Sequence, residues 1–366
     1  MKIVQAVHSF PPSRGGVEHH AYHISKELCN LGNEVTVITS RDPGTATEEE
    51  MRGIKVKRLY SLDFSLFSSA RYPVGSLLKM LKEDADVYTG HGYGSLMPLF
   101  ASLAALIKGK PFVFTLHGYP EVKGRKRIFH HFYRFFIAPI FLNIAKKIIV
   151  VSKQEAKKLE KEVDSKKIVF IPNGIDARFN SRMDVSGKNR ITYIGKLSED
   201  KGIEILIRAF ADVRKEYPKL VLNVVGRDDG MKKKLEKLAS SLGIEAIFSE
   251  VPYKKMPYIY SESKAVVLPS KYEGFSLVWL EAMASGRAIF STPVGEALKL
   301  YEQVYDENAG SFLFGNEQEL KEKLLAFLEN PEKYQDIIRR AKYITKEEYS
   351  WSNVAAQTLN VYKEVI

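Results

Sequence analysis

The stretch AVVLPSKYEGFSLVWLEAMASGRAIFS, residues 265–291, contains one complete strand–helix–strand unit. Ala265–Leu268 is a short apolar run that predicts a buried strand, and Pro269 ends it. Leu277–Ala284 carries apolar residues at helical spacing along one face, and Ala288–Ser291 predicts the next strand. Units of this kind build a parallel sheet that is covered by helices.

The start of the predicted helix is a candidate ligand site. We expect Ser276 to cap the helix, because a serine side chain can accept a hydrogen bond from a backbone amide of the first turn. The amides near this start are donors without intrahelical partners, and they predict an anion site. They belong to Gly274, Phe275, Ser276 and Leu277.

Two carboxylates bracket this segment. Glu273 lies just before the helix, where it would bond sugar hydroxyls or stabilise developing positive charge. Glu281 lies one turn further along, where it would accept hydrogen bonds from a ribose diol. The same residues also fit a second interpretation, in which Glu273 only favours the helix dipole and Glu281 is exposed. The local sequence alone supports the two interpretations equally.

Alternating strands and helices continue through the rest of the chain in two series. The first predicts strands at Lys2–Val7, Glu34–Thr39, Lys55–Leu59, Val87–Thr89, Phe112–Leu116, Lys147–Val151 and Ile168–Ile171, with helices such as Val17–Leu31 and Ser152–Lys161. The second predicts strands at Ile191–Ile194, Leu220–Val225, Ala246–Phe248, Ala265–Leu268 and Ala288–Ser291, and helices at Lys201–Glu216, Gly230–Leu242 and Leu277–Ala284. The acidic run 48–50 is interpreted as a solvated turn.

A polar stretch without apolar periodicity, Asn173–Asn189, separates the two series and predicts a linker. We therefore predict an α/β protein of two doubly wound, Rossmann-like domains that face each other across a cleft. In such sheets, ligands bind outside the carboxyl ends of the strands. The predicted domains are 1–174 and 175–348, with the final segment, 349–366, completing the first.

Composition limits the classes of protein to consider. The chain has 366 residues, 45% hydrophobic and 27% charged, which predicts packed domains rather than disorder. A single cysteine, Cys29, excludes an internal disulfide framework and is interpreted as a buried, inert thiol. The first residues read as a strand and not as a signal peptide, and the longest apolar runs are too short to span a bilayer. We expect a cytoplasmic protein.

Other candidate residues follow predicted strands. Gly195, Lys196 and Lys201 lie in GKLSEDKG (195–202), where the lysines would reach a pyrophosphate or simply be solvated. Gly226 allows close approach of a ligand, or only a tight turn. Gly15 and Gly16 open the first helix, without the spacing of the dinucleotide fingerprint. His117 follows a strand of continuous apolar character, a better position for function than most histidines have.

A metal site is not predicted. Asp84 and Asp86 form a D-x-D pattern, but they precede a strand and are interpreted as a structural turn. The sequence shows no histidine and cysteine cluster with zinc spacing.

Taken in order, these motifs resemble the retaining GT-B glycosyltransferases of family 4, nearly from end to end. The resemblance is carried by the Gly15–Gly16 turn, TLHG (115–118), VVSK (150–153), IPNGID (171–176), GKLSEDKG, VVGRD (224–228), the two glutamates of E-x7-E (273–281) and the final segment YSWSNVAAQTLNVYKEVI (349–366). The order and spacing of the set are specific, whereas each motif alone is weak.

The resemblance implies roles for the candidate residues. Lys196, where the family often has arginine, and Lys201 should neutralise a diphosphate, which Gly15 and Gly16 should face from the other domain. Glu281 should hold the ribose, Glu273 the transferred sugar, and the amides after Gly274 the sugar hydroxyls or the distal phosphate. His117 should bond the donor sugar near the reacting carbon. The implied catalytic residues are His117, Glu273 and Lys201.

The function implied is transfer of a sugar, with retention, from a nucleotide-diphosphate sugar to an acceptor. The donor is a substrate, a UDP- or GDP-sugar by preference, and no cofactor or metal is implied. The net charge of +11 is compatible with nucleotide phosphates or an anionic membrane surface. A nucleotide-sugar epimerase and a non-enzymatic binder of lipid or nucleic acid are the alternatives. Scattered basic residues argue against nucleic acid as a partner.

The acceptor side is suggested by the segment GRKRIFHHFYRFFIAPIFLNIAKK, residues 124–147. Its cations Arg125, Lys126, Arg127 and Arg134 would meet lipid phosphates while Phe132, Phe135, Phe136 and Phe141 enter the interface. In the other interpretation, which we favour for most of these phenylalanines, they belong to the core. A carbohydrate or lipid-linked acceptor, and peripheral association with the inner face of the cell membrane, remain open.

Overall fold

The computed structural model describes residues 1–13, 15–63, 71–119, 130–180 and 188–366. It divides the chain into two compact units. The first comprises Met1–Gly174 together with Trp351–Ile366, and the second comprises Ile175–Ser350. Each unit has its own central sheet and its own apolar core.

The described part of the first unit contains a large, mainly parallel sheet. The strands of this part of the unit are β1 (Lys2–Ala6), β2 (Glu34–Ser40), β3 (Glu48–Met51), β4 (Ile54–Leu59), β5 (Ser61–Asp63), β6 (Arg71–Pro73), β7 (Val87–His91), β8 (Phe112–Leu116), β9 (Lys147–Val150) and β10 (Ile168–Phe170). Eight of them form one sheet in the order β10-β9-β8-β7-β1-β2-β4-β3, and β5 pairs with β6 in a separate ribbon. The inner strands β7 and β8 are fully buried, as expected of parallel strands covered on both faces.

The strand β3 corrects the interpretation of residues 48–50 as a solvated turn. It pairs antiparallel with β4 at the edge of the sheet. Its acidic side chains have cationic partners, since Glu48 lies 2.7 Å from Lys79 Nζ and Glu49 lies 2.7 Å from the buried Arg58 guanidinium. These ion pairs compensate for the low strand propensity of glutamate.

The first unit's helices cover both faces of the sheet. In chain order they are α1 (Gly16–Asn30), α2 (Ser76–Lys82), α3 (Met97–Ile107), α4 (Ala138–Ile144), preceded by a π-helical turn over Tyr133–Ile137, and α5 (Lys153–Leu159). One of the longest apolar runs in the sequence, Leu96–Ile107, forms the helix α3. None of the helices in the described ranges combines the length and apolar character needed to cross a membrane.

The second unit contains a five-stranded parallel sheet. Its strands are β11 (Arg190–Ile194), β12 (Val221–Val225), β13 (Ala246–Ser249), β14 (Ser263–Leu268) and β15 (Ala288–Ser291), in the order β13-β12-β11-β14-β15. Its helices are α6 (Ile203–Glu216), α7 (Lys232–Ser241), α8 (Met256–Glu262), α9 (Leu277–Ala284), α10 (Ala297–Tyr305), α11 (Glu317–Glu329) and α12 (Gln335–Glu348). The prediction of two Rossmann-like, parallel-sheet domains is confirmed.

The start of one helix and the predicted linker illustrate how the structure differs from the prediction. The helix expected from Lys201 begins at Ile203, because Gly202 adopts a left-handed conformation with φ +59° and separates it from a 3-10 turn over Glu199–Lys201. The stretch read as a linker contains the 3-10 turn Ala177–Phe179, whose Phe179 is fully buried in the core of the second unit.

The last helix, α13 (Trp351–Val365), packs on the first unit. Trp351, Val354 and Tyr362 join a core cluster with residues of β1 and α1. Gly174 is required beside this helix, because an added Cβ would lie only 2.5 Å from the Trp351 ring. The glycine of the IPNGID segment therefore makes room for the tryptophan.

Candidate functional site

The strand order of the second unit defines where a ligand would bind. The order reverses between β11 and β14, which are neighbours in the sheet although β12 and β13 lie between them in sequence. In open α/β sheets, ligands bind at such a switch point, outside the carboxyl ends of the two strands. The loops that leave these strands, 195–202 and 269–276, contain most of the residues predicted for the donor site.

Glycines allow the backbones of these loops to come into contact. An added Cβ on Gly226 would lie 1.6 Å from the carbonyl oxygen of Gly195, so the turns after β11 and β12 touch at this point. A Cβ added to Gly202 would likewise lie 2.2 Å from the carbonyl oxygen of Pro269, and one added to Gly295 would lie 2.1 Å from that of Glu273. Gly195 and Gly226 therefore have a structural role. Close approach of a ligand would be a second role for the same residues.

Lys201 and Glu273 meet at the switch point. Lys201 Nζ lies 2.7 Å from Glu273 Oε1, and Ser270 Oγ donates to the same oxygen at 2.9 Å. The exposed fractions of the two side chains are only 15% and 14%. The loop after β11 thus provides a cation, and the loop after β14 an anion, in a partly desolvated position where electrostatic interactions are strong.

Lys196 lies in a more open position. Its Nζ is 3.8 Å from Asp229 Oδ2, and about half of each side chain is exposed. A pair at this distance in contact with water is weak, so Lys196 can leave Asp229 for a phosphate at little cost.

The helix α9 begins at Leu277, as the sequence predicts, but the expected capping hydrogen bond does not form. Ser276 is the N-cap residue, yet its side chain makes no capping hydrogen bond, which corrects the prediction. The loop is held instead by backbone contacts, since the Glu296 amide donates to the Gly274 carbonyl at 3.1 Å. Phe275 packs its ring on Tyr349 and Trp279.

Glu281 lies inside the second unit, with an exposed fraction of 3%, so the interpretation as an exposed residue is wrong. Tyr253 donates to Oε1 at 2.6 Å, and Tyr260 donates to Oε2 at 2.7 Å. Arg178 lies over the Tyr253 ring, 5.1 Å from its centroid. Burial raises the pKa of Glu281 to about 7, although the two tyrosine hydroxyls and Arg178 oppose this shift.

A ligand would reach Glu281 on the Tyr253 side. The Tyr260 hydrogen bond is buried, whereas the Tyr253 bond is only partly buried. Each carboxylate oxygen has two lone pairs, so Oε1 can accept one more hydroxyl beside that of Tyr253.

In the first unit, Gly15 and Gly16 open α1 as predicted, but Gly15 has a local explanation. A Cβ on Gly15 would lie 2.2 Å from Oε2 of Glu18, so the glycine leaves room for this carboxylate. Ser9 donates to Glu18, and His8 Nε2 lies 3.3 Å from it. Burial would raise the pKa of Glu18, but these two partners outweigh it and lower the pKa below its usual value.

His117 follows β8 and meets two other histidines. Its Nε2 lies 3.2 Å from Nδ1 of His91, and its ring centroid lies 4.6 Å from that of His20. Burial, reinforced by the neighbouring imidazoles, lowers the pKa of His117 well below 6.5. The side chain is therefore neutral at neutral pH, which suits a hydrogen bond to an uncharged sugar.

The D-x-D pattern is part of a turn before β7. Asp84 pairs with Lys2 Nζ at 2.7 Å, and Asp86 accepts from the Lys2 amide at 2.7 Å. Both aspartates thus hold the start of β1 against β7.

The expectation that most of the named phenylalanines belong to the core is wrong. Phe141 is fully buried, but the exposed fractions of Phe132, Phe135 and Phe136 are 55%, 67% and 64%. Ile140 extends this surface, which we call the aromatic face (Phe132, Phe135, Phe136, Ile140). Arg134 lies among these residues and bonds Glu162 at 2.7 Å. The cations at 125–127 lie outside the described residues.

Sequence reasoning missed several residues that complete these sites. They are Tyr253, Tyr260, Arg178 and Ser270 in the second unit, and His20, His91 and Asn173 in the first. The tyrosines and Arg178 meet Glu281 only through the tertiary fold, so local spacing carried no signal for them. His91 could have been found, because it lies two residues after the predicted strand Val87–Thr89, and His117 directly follows the next predicted strand, Phe112–Leu116.

Comparisons with known proteins agree with this architecture. Residues 14–179 match the family Glycosyltransferase Family 4, and residues 175–343 match Glycosyl transferases group 1. An uncharacterised glycosyltransferase of Methanocaldococcus jannaschii is 27% identical over 99% of this chain and 98% of its own. One component of the Arabidopsis thaliana phosphatidylinositol N-acetylglucosaminyltransferase is 24% identical over 100% of this chain and 82% of its own. The solved structure of Anabaena HepE in complex with UDP covers 100% of both chains, with 20% identity and a TM-score of 0.78.

The two family matches together span nearly the whole chain, and the fold is that of the GT-B enzymes. The chain therefore belongs to glycosyltransferase family 4. It is an enzyme of the hexosyltransferase type.

Proposed function

We propose that this enzyme transfers a sugar, with retention, from a nucleotide-diphosphate sugar bound at the switch point of the second unit. The observation that carries the proposal is the contact between Lys201 and Glu273 in the loops after β11 and β14. In this proposal, Lys201 provides a cation for the diphosphate and Glu273 provides a carboxylate for the sugar. Both lie at the switch point of the sheet, where α/β proteins bind their ligands.

The two lysines stabilise the leaving group. Departure of the nucleoside diphosphate leaves negative charge on the distal phosphate. Lys201 is fixed and partly desolvated, and Lys196 can turn toward the ligand, so the pair would neutralise this charge. The amides at Gly274, Phe275, Ser276 and Leu277 would bind the sugar hydroxyls or the same phosphate.

The two carboxylates have different roles in this proposal. Glu273 faces the transferred sugar, and Lys201 holds its carboxylate in position to stabilise an oxocarbenium-like centre. Glu281 accepts a ribose hydroxyl on the side of Tyr253. Glu273 is held by Lys201, and Glu281 by two tyrosines, so neither is presented as a nucleophile. This favours front-face attack, with retention and without a covalent intermediate.

In the first unit, His117 would bond the donor sugar, and Gly15 and Gly16 would face the diphosphate. The neutral imidazole of His117 can donate to or accept from a hydroxyl without a charge to desolvate.

A UDP-sugar is the donor that we would test first, with a GDP-sugar as the alternative. The support is that HepE has been solved with both UDP and UDP-glucose. At this level of identity the neighbours share the fold, so the nucleotide base has to be identified by a binding screen.

The acceptor that we propose is a carbohydrate linked to a lipid, reached by peripheral binding to an anionic membrane surface. The support is the aromatic face on the first unit, together with the net charge of +11. The name of the Arabidopsis relative indicates that it transfers a sugar to a phospholipid.

A thermal-shift screen with UDP, GDP, ADP and their sugars tests the proposed donor. One nucleotide series should raise the melting temperature, since a ligand at 100 times its Kd adds about 2.7 kcal/mol to the free energy of unfolding. The double variant Lys196→Ala/Lys201→Ala should lose this shift, and Lys333→Ala, an exposed lysine on the same unit, should keep it. Absence of a shift with every nucleotide would contradict the proposal.

A further inference from the structure

A groove on the second unit lies between α6, α7 and the loop after β14. Its volume is about 490 Å³, which is in the range of pockets that bind small molecules. No side chain predicted for the donor site lines it. We call it the basic groove, and the residues that define it are Arg208, Lys234, Lys237 and Lys271 together with Ile205 and Leu238.

Cations dominate the lining of the basic groove. Four of its nine lining residues are lysine or arginine, and only Glu204 is acidic, which gives a net charge of +3. Lysine and arginine make up 55 of the 366 residues of the chain, so about one or two would be expected among nine. A concave surface with one sign of charge concentrates ions of the other sign. The groove therefore attracts anions.

Most of these positive charges have no acidic partner. Glu204 lies 3.2 Å from Lys234 Nζ, in a pair whose lysine is 68% exposed and which is therefore weak. Within the ranges that the structure describes, no carboxylate forms an ion pair with Arg208, Lys237 or Lys271. Three cations from three different segments thus face one groove without a counter-charge from the protein.

Backbone contacts fix the upper end of the groove. The Lys271 amide donates to the Asp200 carbonyl at 2.8 Å, and the Ile205 amide donates to the Gly202 carbonyl at 2.9 Å. The first bond joins the loop after β14 to the loop after β11. The walls are therefore formed before a ligand arrives, which reduces the entropic cost of binding.

The rest of the lining suits a soluble molecule better than a membrane. Ile205 and Leu238 are partly buried and pack against the core of the second unit, so they add an enclosed apolar surface to the groove. None of the lining residues is a large, highly exposed apolar residue of the kind that forms the aromatic face. Cations beside a sheltered apolar surface fit a ligand with an anionic part and an uncharged part.

We propose that the basic groove binds a small phosphorylated molecule, a sugar phosphate or a nucleotide, at a second site on this unit. Arg208, Lys237 and Lys271 bind the phosphate, to which the guanidinium can donate two parallel hydrogen bonds. The uncharged part of the ligand lies on Ile205 and Leu238. The site is separate from the proposed donor site and does not depend on it.

The test uses pyridoxal 5′-phosphate, an aldehyde that carries a phosphate and forms an imine with a nearby lysine. Borohydride reduces the imine, and mass spectrometry of a digest identifies each modified lysine of the full chain. We expect Lys237 and Lys271 to be modified at least about fivefold more than Lys333, which is equally exposed on the same unit. Pyridoxal, which lacks the phosphate, should not show this preference, and inorganic pyrophosphate should suppress it.

A variant that removes no lysine shows whether the cations act together. Arg208→Gln replaces an exposed side chain, and we expect it to reduce the modification of Lys237 and Lys271 at least about fivefold. Arg214→Gln is the matched control, because Arg214 lies on the same helix but outside the groove. It should be modified as the wild type is. Thermal unfolding of both variants first verifies that they fold.

The same digest separates this proposal from that of the donor site, since Lys196 and Lys201 report on the donor site independently. Modification of Lys237 and Lys271 no stronger than that of Lys333 would overturn the basic groove as a phosphate site. So would an equal preference with pyridoxal, or an unchanged pattern in folded Arg208→Gln. None of these results would affect the donor site, and protection of Lys237 and Lys271 by pyrophosphate in the wild type would support the groove even if Arg208→Gln did not fold.

Discussion

At the scale of single residues, the burial of Glu281 couples its ionisation to the stability of the second unit. Its pKa is about 7 in the folded state and about 4.5 when exposed, mainly because of desolvation. The folded protein therefore holds this proton more tightly than the unfolded chain does. The contribution to stability is full below pH 4.5 and is lost as the pH rises to about 7.

We predict that Glu281→Gln removes this pH dependence. The amide keeps partners in both tyrosine hydroxyls and carries no charge to desolvate. Relative to the wild type, the variant should gain about 3 kcal/mol in the free energy of unfolding between pH 4.5 and pH 8. Urea denaturation of both proteins across this range measures the difference. A difference independent of pH would show that Glu281 is not buried as described.

Glu273 should affect turnover more than donor binding. The substitution Glu273→Gln keeps the shape of the side chain and its bond from Ser270, but removes the charge that we propose for contact with the sugar. We expect the Kd for the nucleotide to change less than about threefold and kcat to fall by about 100-fold or more. Calorimetry and a nucleotide-release assay measure the two quantities. Equal losses in both would refute separate roles for Glu273 and Glu281.

Gly226 should be intolerant of any side chain. In Gly226→Ala the new Cβ would lie 1.6 Å from the Gly195 carbonyl, and backbone atoms would have to move. We expect a loss of about 3 kcal/mol in stability. Gly310→Ala is the matched control, because a Cβ there meets no atom within 4 Å. Thermal unfolding of both variants tests the contact, and equal melting temperatures would exclude it.

At the scale of elements, the sequence predicted what short-range patterns determine. The strands β8 and β14 and the helix α9 are contiguous apolar or periodic runs, so their identity does not depend on distant residues. The strand β3 was missed, because its glutamates are stabilised by Lys79 and Arg58 from other elements. The exposure of Phe132, Phe135 and Phe136 was also missed, since composition does not show which side of a helical segment faces solvent.

The aromatic face predicts a measurable interaction of this element with membranes. Three exposed phenylalanines can insert into an interface, and Arg134 among them can meet an anionic headgroup if it leaves Glu162. The wild type should float with vesicles rich in anionic lipid at low salt, and Phe132→Ser/Phe135→Ser/Phe136→Ser should not.

A matched control for the flotation is Tyr258→Ser/Tyr343→Ser, which removes equally exposed aromatics from the second unit. It should float as the wild type does. If the wild type does not float, the proposal of a membrane-bound acceptor is refuted. If the triple phenylalanine variant floats, the aromatic face is not the surface that binds the membrane.

At the scale of the whole molecule, the two-unit architecture followed from the repeated strand–helix rhythm and from the ordered set of motifs. The residues that complete each site could not be predicted in this way, because they are distant in sequence and come together only in the folded protein. Tyr253, Tyr260 and Glu281 meet through three different elements. His20, His91 and His117 likewise meet through α1, β7 and the end of β8. Motif spacing therefore indicated candidate ligand residues, but not the residues that hold their side chains in place.

The central claim is that the switch point of the second unit binds the diphosphate of a nucleotide-sugar donor. The most direct measurement is calorimetry with the preferred nucleoside diphosphate and with its nucleoside, for the wild type and Lys201→Ala. We predict that the diphosphate strengthens binding at least about 100-fold in the wild type, and that Lys201→Ala loses most of this gain. Equal affinity for nucleoside and diphosphate, or an unchanged gain in Lys201→Ala, would contradict the account.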